Sequence, residues 1–136
     1  MKHDEFIGQV QHRARLSSRG EAERATRATL ETLAERLAGG EAKDLAAQLP
    51  PEIGNHLRGQ WSALGESFSL GEFFRRVSQR EGVDPPAAVF HARAVIEVLS
   101  EAVSKGEWDD VRAQLPAEFD RLFEAGSTGH MPEMEP

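Results

Sequence analysis

The last third of this 136-residue chain repeats its first third. Residues 27–53 read RATLETLAERLAGGEAKDLAAQLPPEI and residues 93–119 read RAVIEVLSEAVSKGEWDDVRAQLPAEF. At an offset of 66 positions, 13 of the 27 pairs are identical, and most of the rest exchange one apolar or small side chain for another. Upstream, Glu5-Phe6, Val10 and Arg13 match Glu72-Phe73, Val77 and Arg80 at an offset of 67, so the loop SSRGEAE, opposite DPPAAV, differs in length by one residue. No third copy follows, which makes the chain a duplicated pair and not a solenoid array. We read one domain over residues 3–123, built of unit one (3–57), a linker (58–68) and unit two (69–123). Residues 125–136 lack periodicity and are interrupted by glycine and proline, the pattern of a disordered tail.

Each unit reads as helical. In unit two Ala88, Ala92, Val95, Ile96, Leu99 and Val103 fall on one stripe at three- and four-residue steps. The matching stripe in unit one is Ala22, Thr26, Thr29, Leu30, Leu33 and Leu37, with smaller and more polar members. Ser69-Leu-Gly-Glu72 and Ser18-Arg-Gly-Glu21 have the form of capping boxes, and Asp84 before Pro85 predicts another helix start. Gly39-Gly40 and Lys105-Gly106 are expected to end the long helices through a left-handed glycine. A short helix then covers 41–48 and 107–114. Pro50 and Pro116 stop it and lead into a fourth short helix carrying Ile53/Leu57 and Phe119/Leu122/Phe123. No segment alternates with a period of two. The expected fold is all-α: a single bundle of six to eight helices, made of two three- or four-helix units about a pseudo-twofold axis.

An apolar fraction of 39% beside 29% charged residues excludes a wholly disordered chain. A net charge of −7 speaks against broad contact with phosphate backbones, so nucleic acid is not an expected partner. The charge is uneven. Residues 1–38 hold seven Lys/Arg against six acids, which we read as a solvated, ion-paired helix face. Cysteine is absent, so no disulfide, thiol nucleophile or Cys-based zinc site is available. Apolar runs are too short to span a bilayer, and MKHDEFIGQV lacks the uncharged stretch of a signal peptide; a cytoplasmic location is expected.

The polar residues written twice are the candidates for chemistry. Arg27 stands four residues before Glu31, as Arg93 stands before Glu97, and Asp44 and Asp110 repeat on the next helix within reach of the arginine across the corner. Gln48 and Gln114 sit at that helix's end, where an amide either satisfies loose carbonyls or bonds across to the other unit. One reading makes Arg27, Arg93, Asp44, Asp110, Gln48 and Gln114 a doubled site for an anion or a polar ligand. The other makes them a structural network that sets the angle between helices, and duplication favours it, since a shared fold keeps the same groups without a ligand. None of the histidines (His3, His12, His56, His91, His130) lies three or four residues from another, so no metal site is expected. Glu41/Asp44 and Glu107/Asp109/Asp110 are acids at helix starts, where the helix dipole is reason enough for them. No glycine-flanked serine elbow and no phosphate-cradling loop is present, and no cofactor is expected. Trp108 reads as core. Trp61, in the linker and outside both copies, either plugs the seam between the units or meets a partner.

The repeated patterns resemble the prokaryotic domain-of-unknown-function family numbered 2267. They are carried by Glu5-Phe6, Arg27-Ala28, Glu31, Leu33, Gly40-Glu41, Asp44 and Ala47-Gln48-Leu49-Pro50, with their counterparts Glu72-Phe73, Arg93-Ala94, Glu97, Leu99, Gly106-Glu107, Asp110 and Ala113-Gln114-Leu115-Pro116. Gly59-Gln60-Trp61 in the linker fits the same pattern. The resemblance spans residues 3–123 and implies a small helical bacterial protein with an internal duplication; it carries no activity, cofactor or catalytic residue. The function expected from the residues is a non-enzymatic helical interaction or scaffold module, with a protein partner or a second copy of the chain as its ligand. The alternative is a small-ligand or anion binder that uses the repeated Arg/Asp/Gln groups where the units meet.

Overall fold

The computed structural model describes residues 1–58 and 65–124, and over these residues the chain is all-α. Eight helices follow one another: α1 (His3–Arg13), α2 (Arg19–Arg36), α3 (Gly39–Ala47), α4 (Pro51–Arg58), α5 (Leu70–Glu81), α6 (Pro85–Ala102), α7 (Lys105–Ala113) and α8 (Asp120–Glu124), the last entered through a 3-10 turn at Ala117–Phe119. Trp61, His130 and the 125–136 tail lie outside the described residues.

The expected starts are present. Ser18 Oγ accepts from the Glu21 N–H at 3.2 Å, Ser69 Oγ from Glu72 at 3.1 Å, and the Asp84 carboxylate from Ala87 at 3.1 Å, each satisfying a donor that the first helical turn leaves open. The expected stops are not. Gly39 and Gly40 do not terminate α2, and Gly106 does not terminate α6. They lie inside the first turns of α3 and α7, and none of them has a positive φ. The long helices break instead because Leu37 and Ala38, and Val103 and Ser104, take extended conformations that turn the chain into the next helix. A left-handed glycine cap is found at Gly82, which closes α5 with φ 77° and donates to the Ser78 carbonyl.

The two 18-residue helices, α2 and α6, pack on each other and form the centre. Their stripes are buried as expected, Ala22, Thr26, Thr29, Leu30, Leu33 and Leu37 on one, and Ala88, Ala92, Val95, Ile96 and Leu99 on the other, except that Val103, just past the end of α6, is half-buried. Each outer helix leans on both central ones, α1 on α2 and α6, and α5 on α2 and α6. Phe73 of α5 meets Phe74 and Phe119 edge-on at 5.9 Å, which ties the 3-10 turn to the core. Gly54 lets α4 approach α3 closely, since a Cβ there would stand 2.8 Å from the Ala46 carbonyl oxygen. α3 also touches α7, and that contact positions the site described next. Among the described residues, no helix is long and apolar enough to cross a membrane.

Candidate functional site

Two sets of side chains link the halves of the chain, and each is formed twice. Arg13 of α1 reaches α6, donating to Glu97 at 2.8 Å and to both oxygens of Glu101 at 2.8 Å. Arg80 of α5 reaches α2, donating to Glu35 at 2.8 and 2.6 Å and to the Thr32 hydroxyl at 2.8 Å, with Glu31 at 3.9 Å. These are paired positions of the repeat, and each arginine crosses to the other half for its acids. Arg76 extends the second set, bonding Glu35 at 3.1 Å and Glu72 at 2.8 Å, with its guanidinium 4.0 Å from the centre of the Phe68 ring. Burial pushes the Glu35 carboxyl up, but hydrogen bonds and charge from Arg80 and Arg76 outweigh it and hold the group below its ordinary value. Arg75 and Arg76 hold Glu72 down to about 2.

The glutamines cross in the same way. At the end of α3, Gln48 accepts from the Ser104 N–H at 2.7 Å and donates to the Ser104 hydroxyl at 3.3 Å, at the start of α7. At the end of α7, Gln114 accepts from the Ala38 N–H at 3.0 Å, at the start of α3, and donates to Glu41 at 3.2 Å. Each helix end thus caps the beginning of its counterpart. Of the two roles a glutamine has at such a position, bonding across to the facing helix is the one taken.

Between these caps α3 and α7 bring the first-turn acids Glu41 and Glu107 together with Asp110, further along α7. Glu41, Glu107 and Asp110 each offer a carboxylate oxygen within 4.8 Å of the other two. Glu107 is only 8% exposed. The Oε2 atoms of Glu41 and Glu107 are shielded from solvent and receive no N–H or hydroxyl donor. Burial pushes the Glu107 carboxyl up to about 8; a hydrogen bond to the Glu41 carboxyl adds to the shift, and so do the negative charges of Glu41, Asp44 and Asp110. The acids that face arginines on α2 and α5 are pulled down; the acid that faces other acids is pushed up.

The six repeated candidates therefore divide. Asp110 and Gln114 belong to the α3–α7 seam, Asp44 acts on it through its charge, and Gln48 closes its other end. Arg27 is elsewhere, exposed on α2 and bonded to Glu31 at 3.1 Å. Arg93 is fully buried in α6 and donates to the Arg121 carbonyl of α8 at 3.1 Å. Glu97, expected beside Arg93, is taken by Arg13. Trp108 is half-buried and packs edge-on against Phe123 at 5.3 Å. His91 is buried in α6, with Nδ1 against the Glu81 carboxylate. Arg27 pairs with Glu31 and Arg19 with Glu23 at the expected four-residue spacing, whereas Arg13 pairs with Glu97 and Glu101 of α6, and Arg19 also with Asp4 of α1.

Sequence reasoning missed Glu41 and Glu107 as a set. Each has a sufficient local explanation at its helix start, and the signal that they meet was the doubled G-E-x-x-D pattern.

Residues 3–122 match the family model DUF2267, described as an uncharacterized conserved protein. A comparison with curated proteins finds no match.

Proposed function

We propose that this chain, which belongs to the DUF2267 family of uncharacterized conserved proteins, is a non-enzymatic helical interaction or scaffold module. Its two units, 3–57 and 69–123, are related by a pseudo-twofold axis. The observation that carries this reading is reciprocity. Arg13 binds Glu97 and Glu101 while Arg80 binds Glu35, and Gln48 caps α7 while Gln114 caps α3. Side chains retained by the duplication hold one half to the other, a task that needs no substrate. Met1 is the large hydrophobic residue that stands exposed among those described. A partner is accordingly met through charge and hydrogen bonds on an acidic surface, and such contacts weaken in salt. The same reading has the module working in the cytoplasm.

Size-exclusion chromatography with light scattering, coupled to cross-linking in native lysate at low and high salt, tests it. A discrete dimer, or a reproducible cross-linked partner lost at high salt, is expected. A strict monomer that cross-links to nothing at either salt contradicts the reading.

A second reading, an anion binder, draws support from a surface hollow of about 390 Å³ lined by Arg24, Arg27, Ala28, Glu31 and Arg80. Thermal-shift screening with phosphate and small carboxylates tests it. The reading fails if no anion stabilises the protein, or if Arg27→Ala responds as the wild type does.

A further inference from the structure

We propose that the α3–α7 seam is a site for a calcium-sized divalent cation, held by carboxylate oxygens of Glu41, Glu107 and Asp110. The inference does not depend on the interaction-module reading, since it concerns only the seam itself.

Spacing is the first support. Calcium takes oxygen ligands at about 2.3–2.6 Å, so two oxygens on opposite sides of the ion stand about 4.6–5.2 Å apart. One oxygen from each of the three residues lies within 4.8 Å of the others, a set that closes around such an ion without moving a helix. Magnesium, with ligands at about 2.0–2.1 Å, demands a tighter set and keeps more of its water. Carboxylate-only donors suit a hard cation and not a thiophilic or imidazole-seeking metal.

The second support is the lack of any donor from the rest of the protein. The Oε2 atoms of both Glu41 and Glu107 are withdrawn from water and receive no N–H or hydroxyl, and the bond between the two carboxyls themselves needs a proton held by one of them. Glu107 is more than nine-tenths buried. Buried polar atoms are almost always paired, because leaving one without a partner forfeits its hydration for nothing. One cation between the two glutamates satisfies both oxygens at once. A single proton shared between them does the same, and the experiment must separate these.

The surroundings are arranged to hold such a ligand set. Gln114 donates to the other oxygen of Glu41, Oε1, and is itself fixed by the Ala38 N–H, which leaves Oε2 turned to the seam. Glu107 starts its helix under the Ser104 cap, with its N–H 3.2 Å from the Ser104 hydroxyl. Both acid pairs, Glu41/Asp44 and Glu107/Asp110, ride on helices at a three-residue spacing that puts each pair on one face. A bound ion joins α3 of the first half to α7 of the second, next to the glutamine caps that already join them.

Terbium, a luminescent stand-in for calcium, provides the readout, because Trp108 is the immediate neighbour of Glu107 and can sensitise it. Titration of the full chain after chelator treatment is expected to give tryptophan-excited terbium emission. Calcium should displace it with a dissociation constant on the order of 10⁻⁴–10⁻³ M, the range of sites with few protein ligands. Trp108→Phe should remove most of the emission while calorimetric calcium binding persists. Glu107→Gln and Asp110→Asn should each weaken binding at least tenfold. Asp109→Asn, which removes the same charge from the same helix but at a residue paired with Lys105, should leave it within twofold. The proposal is overturned if calcium neither binds nor displaces terbium, or if Asp109→Asn is as damaging as Asp110→Asn, which would mean a diffuse acidic patch. It is equally overturned if the seam responds to a shared proton only, with stability following pH while millimolar calcium changes nothing.

Discussion

Two regions of this molecule hide glutamates and treat them in opposite ways. On the α2–α5 face, Glu35 is surrounded by the guanidinium groups of Arg76 and Arg80, and its carboxyl is held below the ordinary range. In the α3–α7 seam, Glu107 is surrounded by Glu41, Asp44 and Asp110, and its carboxyl is pushed up to about 8. Burial alone raises both groups; the sign of the neighbouring charge decides the outcome. The first region is complete as it stands, because every charge has its match. The second has more negative charge than the surrounding residues named here neutralise, and a site in that condition attracts a cation or keeps a proton.

Breaking the matched side should cost most. Glu35→Ala leaves half-buried Arg80 without its principal acceptor and removes one of three acceptors from Arg76, and should destabilise the fold by about 2–3 kcal/mol, the range for charge-assisted bonds whose loss strands a partner. Urea denaturation measures it. A loss under about 0.5 kcal/mol would reduce the network to ordinary surface pairing and erase half of the contrast.

The caps come next. Gln48→Ala and Gln114→Ala should each cost on the order of 1 kcal/mol, as other lost helix caps do. Because Gln48 and Gln114 act at opposite ends of the α3–α7 pair, the double variant should cost nearly the sum. A Gln114→Ala protein as stable as wild type would mean that the seam is held by apolar packing alone.

The last effect has the opposite sign. In cation-free buffer, Glu107→Gln should stabilise the protein by an amount that grows as pH rises from 4.5 to about 8. The direction follows from linkage. The Glu107 carboxyl is raised in the folded state, so its contribution is complete below its free value of 4.5 and is lost as pH rises through about 8. Glu72 and Glu35 are lowered, so their contributions are present above 4.5 and are lost as the solution is acidified. Glu107→Gln should therefore flatten the stability curve between pH 4.5 and about 8 and leave the acid side unchanged. Thermal melts from pH 3 to pH 9.5 would expose the error if the two proteins ran parallel throughout.

Much of the scaffold was legible in the residues because helical spacing fixes which side chains share a face. The stripes on α2 and α6, the Ser18, Ser69 and Asp84 caps and the short helices after Pro50 and Pro116 all follow from local rules. The helix stops were misread. Glycine is a common terminator, but at Leu37–Ala38 and Val103–Ser104 the chain turns by adopting extended backbone, which any residue can do, and the glycines serve the next helix. The cross-helix partners were invisible for a different reason. Arg13 and Glu97 are separated by 84 residues and Arg80 and Glu35 by 45, and only tertiary packing selects those pairs over the nearer acids that each arginine also has. The seam was hidden most effectively of all. Glu41 and Glu107 each look finished as dipole-facing acids until α3 meets α7.

The contrast between the two regions is tested most directly by following the glutamate side-chain carboxyl carbons by NMR across pH, with cations removed. The account predicts that Glu107 titrates near 8 while Glu72 titrates near 2, in one and the same molecule. Midpoints for both within the ordinary carboxylate range, near 4.5, would contradict it.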